Sequence, residues 1–172
     1  MDTQTQKLMF SSKSNEWETP QDFYNKLNKK YNFTLDPCCT HDNYKCEKYY
    51  TFEEDGLSKS WAKETVFINP PYGNIGDWVK KACEEYTQNG ATVVMLIPAR
   101  TDTKYWHDYI MKFASTIYFV KGRLKFKNKM IADYTGKTDV SPAPFPSVVV
   151  VFDMELGMTW TGGPTIKSME RP

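Results

Sequence analysis

Residues 92–97 read Thr-Val-Val-Met-Leu-Ile, an unbroken apolar run that stops at Pro98. A strand without polar alternation has no face to turn to water, so it belongs inside a sheet covered on both sides, as buried parallel strands are. Shorter runs at 65–68, 116–120 and 148–152 suit its neighbours. Between them the apolar period changes to that of a helix. Phe23, Leu27 and Tyr31 share one face, after a helix start at Thr19-Pro20-Gln21-Asp22 with Thr19 as the N-cap and Pro20 in the first turn. Ile75, Trp78, Val79, Ala82, Cys83 and Tyr86 share another, closed by a Gly90 cap. Tyr105, Trp106, Tyr109, Ile110 and Phe113 make a third, capped by Thr101 or Asp102. Phe33–Leu35, ending at Asp36-Pro37, and Tyr49–Phe52 read as short strands, and 122–126 as a further one. Alternating strands and helices predict an α/β domain, mostly parallel, with an antiparallel closing pair. The expected organisation is a loose arm over 1–16, one domain over 17–153, and a tail without a recognisable element over 154–172.

In such sheets ligands bind beyond the carboxyl ends of the strands. Asp36, Asp55, Asn69 and Pro98-Ala99-Arg100 all follow strand-like runs, so they are expected to converge. The most specific of these stretches is Asn69-Pro70-Pro71-Tyr72-Gly73, directly after Thr65–Ile68. Asn69 offers a side-chain oxygen and Pro70 a backbone carbonyl, while two prolines stiffen the corner. Tyr72 offers a ring face to a planar substrate. An aromatic amine is a poor nucleophile because its lone pair is shared with the ring. Two acceptors that hold both N–H groups draw the nitrogen toward a tetrahedral shape and free that pair to attack a methyl sulfonium.

The 172 residues carry 22 Lys and Arg against 21 Asp and Glu, a net charge of +1, so a nucleic-acid partner needs a local basic patch. Lys121, Arg123, Lys125, Lys127 and Lys129 recur at every second position, which in one strand places all five on one face. A solvated strand face and a phosphate-binding face both fit that pattern. No stretch approaches the ~20 apolar residues of a membrane span, and the start lacks a signal pattern, so a cytoplasmic protein without membrane contact is expected. Cys38, Cys39, His41 and Cys46 match no standard zinc spacing, and free thiols packed as small apolar groups are the expected role.

The order of motifs is more specific than any one of them. Trp17-Glu18-Thr19-Pro20, Leu35-Asp36-Pro37-Cys38, Glu54-Asp55-Gly56-Leu57 with Trp61, and Asn69-Pro70-Pro71-Tyr72-Gly73 come first. Trp78-Val79-Lys80-Lys81-Ala82, Pro98 to Thr103, Gly122-Arg123-Leu124 and Ala143-Pro144-Phe145-Pro146-Ser147 follow. The series closely resembles the phage-type DNA N6-adenine methyltransferase (phage Dam) family over about residues 11–152. That resemblance implies an abbreviated Rossmann-like, S-adenosylmethionine-dependent methyltransferase fold. It implies methyl transfer to the exocyclic amine of an adenine flipped out of double-stranded DNA, in the host cytoplasm if phage-encoded. Asn69, Pro70 and Tyr72 would carry the chemistry. Thr19 and Pro20 would sit near the methionine carboxylate, Asp36 and Pro37 beside the cofactor, and Asp55 and Asn69 would complete its site. Arg100, Lys121, Arg123, Lys125, Lys127 and Lys129 would meet phosphates, and 127–144 would read the target sequence. The chain would act as a monomer or a homodimer. Unlike larger methyltransferases, it has no glycine in the turn after the first strand, and no acidic residue closing a full second strand. The same corner also suits an RNA adenine or a protein glutamine amide, and a catalytically inactive DNA-binding relative would keep the fold.

Overall fold

A computed structural model describes residues 17–127, 140–154 and 162–172. The expected arm 1–16, most of the segment 127–144, and Lys129 lie outside the described residues. The chain opens with helix α1 (Gln21–Tyr31), then strands β1 (Leu35–Asp36), β2 (Lys48–Tyr49) and β3 (Thr65–Ile68). Helix α2 (Ile75–Asn89) leads to β4 (Thr92–Pro98). A π-type segment, Trp106–Ile110, continues as Met111–Phe113 and is called α3. Then come β5 (Thr116–Val120), β6 (Lys125–Lys127), β7 (Val140–Pro142), β8 (Ser147–Phe152) and β9 (Thr165–Met169).

Seven strands form one sheet in the order β2-β1-β3-β4-β8-β5-β9, and β6-β7 form a separate hairpin. The pairs β1–β2, β1–β3, β3–β4 and β5–β9 are parallel, and β8 runs antiparallel to both β4 and β5. This is a mixed, mostly parallel α/β sheet of Rossmann-like kind. The antiparallel component is not a closing pair at the edge. It is β8, inserted between two strands, and the edge is closed instead by β9 in a stretch that shows no apolar run. Four of the five β9 residues are exposed, so no burial pattern marks it, and backbone pairing to β5 alone defines it.

The rows of the sheet explain the unalternating core. Phe67 pairs with Val94 and Val94 with Val151, while Val66 pairs with Val93 and Val93 with Phe152. Neighbouring rows point to opposite faces. The first row meets α1 through Tyr24, whose ring lies 5.1 Å from Phe67. The second row meets α2 through Tyr86, 6.0 Å from Phe152. Both faces are therefore covered, and every residue from Val93 to Pro98 is buried. Each fully buried large apolar side chain contributes roughly 1.5–3 kcal/mol.

The chain leaves β1 on one side for β2 and returns on the other for β3. At such a reversal a crevice is expected at the carboxyl ends of β1 and β3, where α1 also begins, because α1 runs down into the start of β1. Local expectations shift slightly there. Pro20, not Thr19, occupies the cap position of α1, with no side-chain cap bond. The third helix begins at 104, beyond both Thr101 and Asp102, after Thr103 donates its hydroxyl to the Arg100 carbonyl at 2.7 Å.

Candidate active site

Asn69 leaves the buried end of β3 and its amide is held from one side only. Its Nδ2 donates to the Thr19 hydroxyl at 2.9 Å and to the Trp17 carbonyl. Its Oδ1 is buried and accepts no hydrogen bond among the described residues. A buried, unpartnered acceptor needs an explanation, because leaving it unmade costs about 1–3 kcal/mol. The next residue, Pro70, is buried, and its carbonyl likewise accepts no bond among the described residues, whereas Pro71 accepts from Asn74 at 3.1 Å. The two acceptors expected from the sequence are thus side by side and free.

Tyr72 differs from expectation. The residue is only 5% exposed, and its ring meets Phe145 edge to face at 5.2 Å, so no open ring face is presented. The cause is an aromatic cluster in which Phe145 and Phe126 both pack against Trp17, at 5.5 and 5.9 Å. Burial pushes the Tyr72 phenol well above its usual range, against an opposing effect of the Arg100 charge. Among the described residues, Tyr31, Asn69, Tyr72, Tyr105 and Ser147 each carry a buried polar side-chain atom without a partner. Tyr31 ends α1, whereas Asn69 and Tyr72 follow β3, Tyr105 lies in the helix after β4, and Ser147 begins β8. Neither Ser147 nor Tyr105 is marked as a site residue by its sequence context, although Ser147 closes the Ala143–Ser147 motif.

Asp36 is built differently. It is 3% exposed, and Oδ1 accepts from the Cys38 amide at 3.3 Å while Oδ2 accepts from the Lys45 amide at 3.0 Å. Its carboxylate organises the 37–45 loop. Burial raises its pKa from 3.8 to about 6, partly countered by those two amides. The Cys39 thiol donates to the Asp36 and Tyr50 carbonyls, and the Cys46 thiol pairs with the Tyr24 hydroxyl at 3.5 Å, so these cysteines serve local packing.

The glycine absent from the β1 turn is replaced by one approaching from another loop. A Cβ on Gly56 would stand 2.0 Å from the Pro37 carbonyl oxygen, so only glycine allows this contact. The Trp61 indole donates to the Gly56 carbonyl at 3.0 Å, and Glu85 accepts from the Trp61 amide at 3.0 Å. Burial opposes the Glu85 charge, yet bonds from Lys81, Asn89 and Trp61 hold its pKa below the usual value. This chain of contacts fixes Asp55, exposed and at φ 51, beside Pro37 at the end of β1. It also explains the Glu54–Leu57 and Trp61 motif as one unit. Trp61 and Trp78 stack at 6.2 Å, and Trp106 is buried, so all three are core, as the apolar helix faces predict for Trp78 and Trp106.

Comparison with known proteins gives the family. A family model described as DNA N-6-adenine-methyltransferase (Dam) matches residues 6–161. The chain belongs to this Dam family. A DNA N-6-adenine-methyltransferase of Haemophilus phage HP1 is 26% identical over 139 residues, 80% of this chain and 78% of that one. One of Escherichia phage T1 is 33% identical over 104 residues, 59% of this chain and 43% of that one. A putative methyltransferase of Escherichia coli, YfdM, is 36% identical over 64 residues, 33% of this chain and 70% of that one.

In this Dam-family chain the basic alternation is divided. Lys121 lies in a turn and pairs with Glu170 at 3.1 Å, and Gly122 at φ 76 breaks the strand before exposed Arg123. Among the described residues, only Lys125 and Lys127 of this series share a strand, exposed on either side of buried Phe126. The five positions therefore do not form one strand face. Arg100 is exposed and makes no ion pair with Asp102 among the described residues. The hairpin nevertheless borders the site, since the Lys127 and Glu18 backbones exchange bonds at 3.1 and 3.3 Å.

Proposed function

We propose that this chain transfers a methyl group from S-adenosylmethionine to the N6 amine of an adenine everted from double-stranded DNA, on an abbreviated methyltransferase version of its Rossmann-like sheet. One observation carries the reading: the Asn69 amide is pinned by its nitrogen, leaving its oxygen as a buried, free acceptor next to the Pro70 carbonyl. A primary aromatic amine has two N–H groups to give, and these two oxygens can take both.

S-adenosylmethionine supplies the electrophilic methyl carbon when bound. Pro20 at the start of α1, Asp55 and the loop built on Asp36 are the parts of the chain that would hold it. The buried, unpartnered Asn69 oxygen at this edge fits a ligand seated there. Asn69 and Pro70 would accept the amine's two N–H groups and draw it toward tetrahedral geometry. That would free its lone pair for the methyl carbon that the bound cofactor would supply, whose carbon–sulfur bond would break to leave the thioether. Tyr72, held protonated by burial, is no base, so the amine's proton leaves to water after transfer. Tyr72 and Phe145 form the apolar wall of the corner. Eversion of the base costs a few kcal/mol, offset by phosphate contacts from Arg100, Arg123, Lys125 and Lys127. The segment 127–144 is proposed to read the target sequence.

The test is direct. Purified protein incubated with methyl-labelled S-adenosylmethionine is expected to label duplex DNA at adenine N6 and to change its digestion by methylation-sensitive nucleases. Label appearing in RNA or in a protein glutamine would move the activity to that polymer. Absence of label with retained DNA binding would make the chain an inactive relative.

A further inference from the structure

We propose that Thr19, together with the Trp17 carbonyl, is the positioning element that sets which end of the Asn69 amide faces the substrate. The inference rests on the Asn69 grip and names what orients it. A carboxamide is nearly symmetric in shape, and its two ends differ only in what they bond. Facing the substrate with oxygen, Asn69 selects a group that donates N–H. Facing it with nitrogen, it would repel that same amine. The Asn69 nitrogen has two acceptors behind it, the Thr19 hydroxyl at 2.9 Å and the Trp17 carbonyl. A flip would set an oxygen against the Trp17 carbonyl and lose that bond, and would oblige the Thr19 hydroxyl to turn from acceptor to donor.

Thr19 is 3% exposed, and the residues around it are fixed from the opposite side. Glu18 is paired through its backbone with Lys127, and the Trp17 ring is wedged between Phe126 and Phe145. The three residues 17–19 thus join the β6–β7 hairpin to the amide. Seating the hairpin on DNA and presenting the acceptor depend on the same short segment.

Thr19→Val keeps the shape and removes the acceptor, while Thr19→Ser keeps the acceptor and removes a methyl group. Thr19→Val is expected to lower the saturated methylation rate about 10–100-fold, with KM for DNA and S-adenosylhomocysteine affinity changed by no more than about twofold, and Thr19→Ser to recover most of the rate. An unchanged rate in Thr19→Val overturns the proposal. So does equal loss in both variants, which would make the role packing. Loss of S-adenosylhomocysteine affinity with a normal saturated rate also overturns it, by assigning Thr19 to the methyl donor. If Thr19→Val does not fold, the wild-type side-chain amide of Asn69 decides the matter by NMR. Slowly exchanging NH₂ protons support the clamp, and fast exchange overturns it. The grip itself fails separately, if Asn69→Ala still methylates.

Discussion

Two strand ends border the crevice, and they treat their polar side chains in opposite ways. At the end of β3, Asn69 has its donor bonded and its acceptor free. At the end of β1, Asp36 has both oxygens bonded to amides of its own loop. The first arrangement offers a group to a ligand. The second uses a charge to shape backbone, and on the proposed reading a ligand would meet the result indirectly, through Pro37 and Asp55. On that reading the two polar residues are not equivalent: the unpaired Asn69 oxygen faces the reacting side, and the saturated Asp36 serves the scaffold.

The largest effect should come from breaking the first arrangement. Asn69→Ala removes the side-chain acceptor of the corner and leaves Pro70 alone to hold the amine. Methylation is expected to fall at least about 1,000-fold, as when a preorganised transition-state partner is deleted. Affinity for S-adenosylhomocysteine should survive, because the β1 side is intact. Single-turnover methylation alongside calorimetry checks both halves, and near-normal turnover would end the distinction between the two strand ends.

The second arrangement makes a prediction about pH. Burial raises the Asp36 pKa from 3.8 to about 6. The folded carboxyl thus keeps its proton to higher pH than the unfolded one. Its contribution to stability is greatest below the unfolded value, falls as pH rises through this window, and is flat above it. Asp36→Asn removes that dependence. The stability of Asp36→Asn relative to wild type should therefore rise by roughly 1–2 kcal/mol between pH 5 and pH 7. Thermal or denaturant melts across this range measure it. A pH-independent difference would mean that Asp36 carries no buried charge, and the scaffold role would need another residue.

How much of this is legible in the chain follows the same division. Asn69 and Pro70 are legible because a strand and two prolines fix their geometry within five residues. The β3, β4 and β8 runs are legible because a strand covered on both faces has no polar position to mislead. The Tyr72 ring defies its motif because its burial depends on Phe145, Trp17 and Phe126, which are far apart in sequence. Thr19 has the composition of an N-cap, and only the folded chain brings it to Asn69. Gly56 has the look of a turn residue, and its contact with Pro37 is a tertiary matter. The β9 strand has four exposed residues in five, so no periodicity announces it. The lysine alternation suggests one face, but Gly122 interrupts the backbone before the strand begins.

The smallest expected effect sharpens the comparison rather than breaking it. The β6–β7 hairpin meets residues 17–19 through its backbone, and Glu18 in turn pairs with Lys45 of the Asp36 loop at 3.7 Å. The Lys125 and Lys127 side chains are exposed. Replacing Lys125 and Lys127 with Ala should therefore alter DNA binding alone. Removing one lysine–phosphate pair flattens the dependence of log affinity on log salt by about 0.9, so the double variant should reduce the slope by roughly one to two units. S-adenosylhomocysteine affinity should not change. The rate at saturating DNA should hold as well, because Lys127 meets Glu18 through its backbone, and alanine keeps those bonds. Binding titrations at several salt concentrations give the slope. An unchanged slope would take the hairpin off the DNA surface. A reduced saturated rate with a normal slope would instead show that the lysine side chains act on the amide through residues 17–19, so that the basic strand belongs to the reacting side.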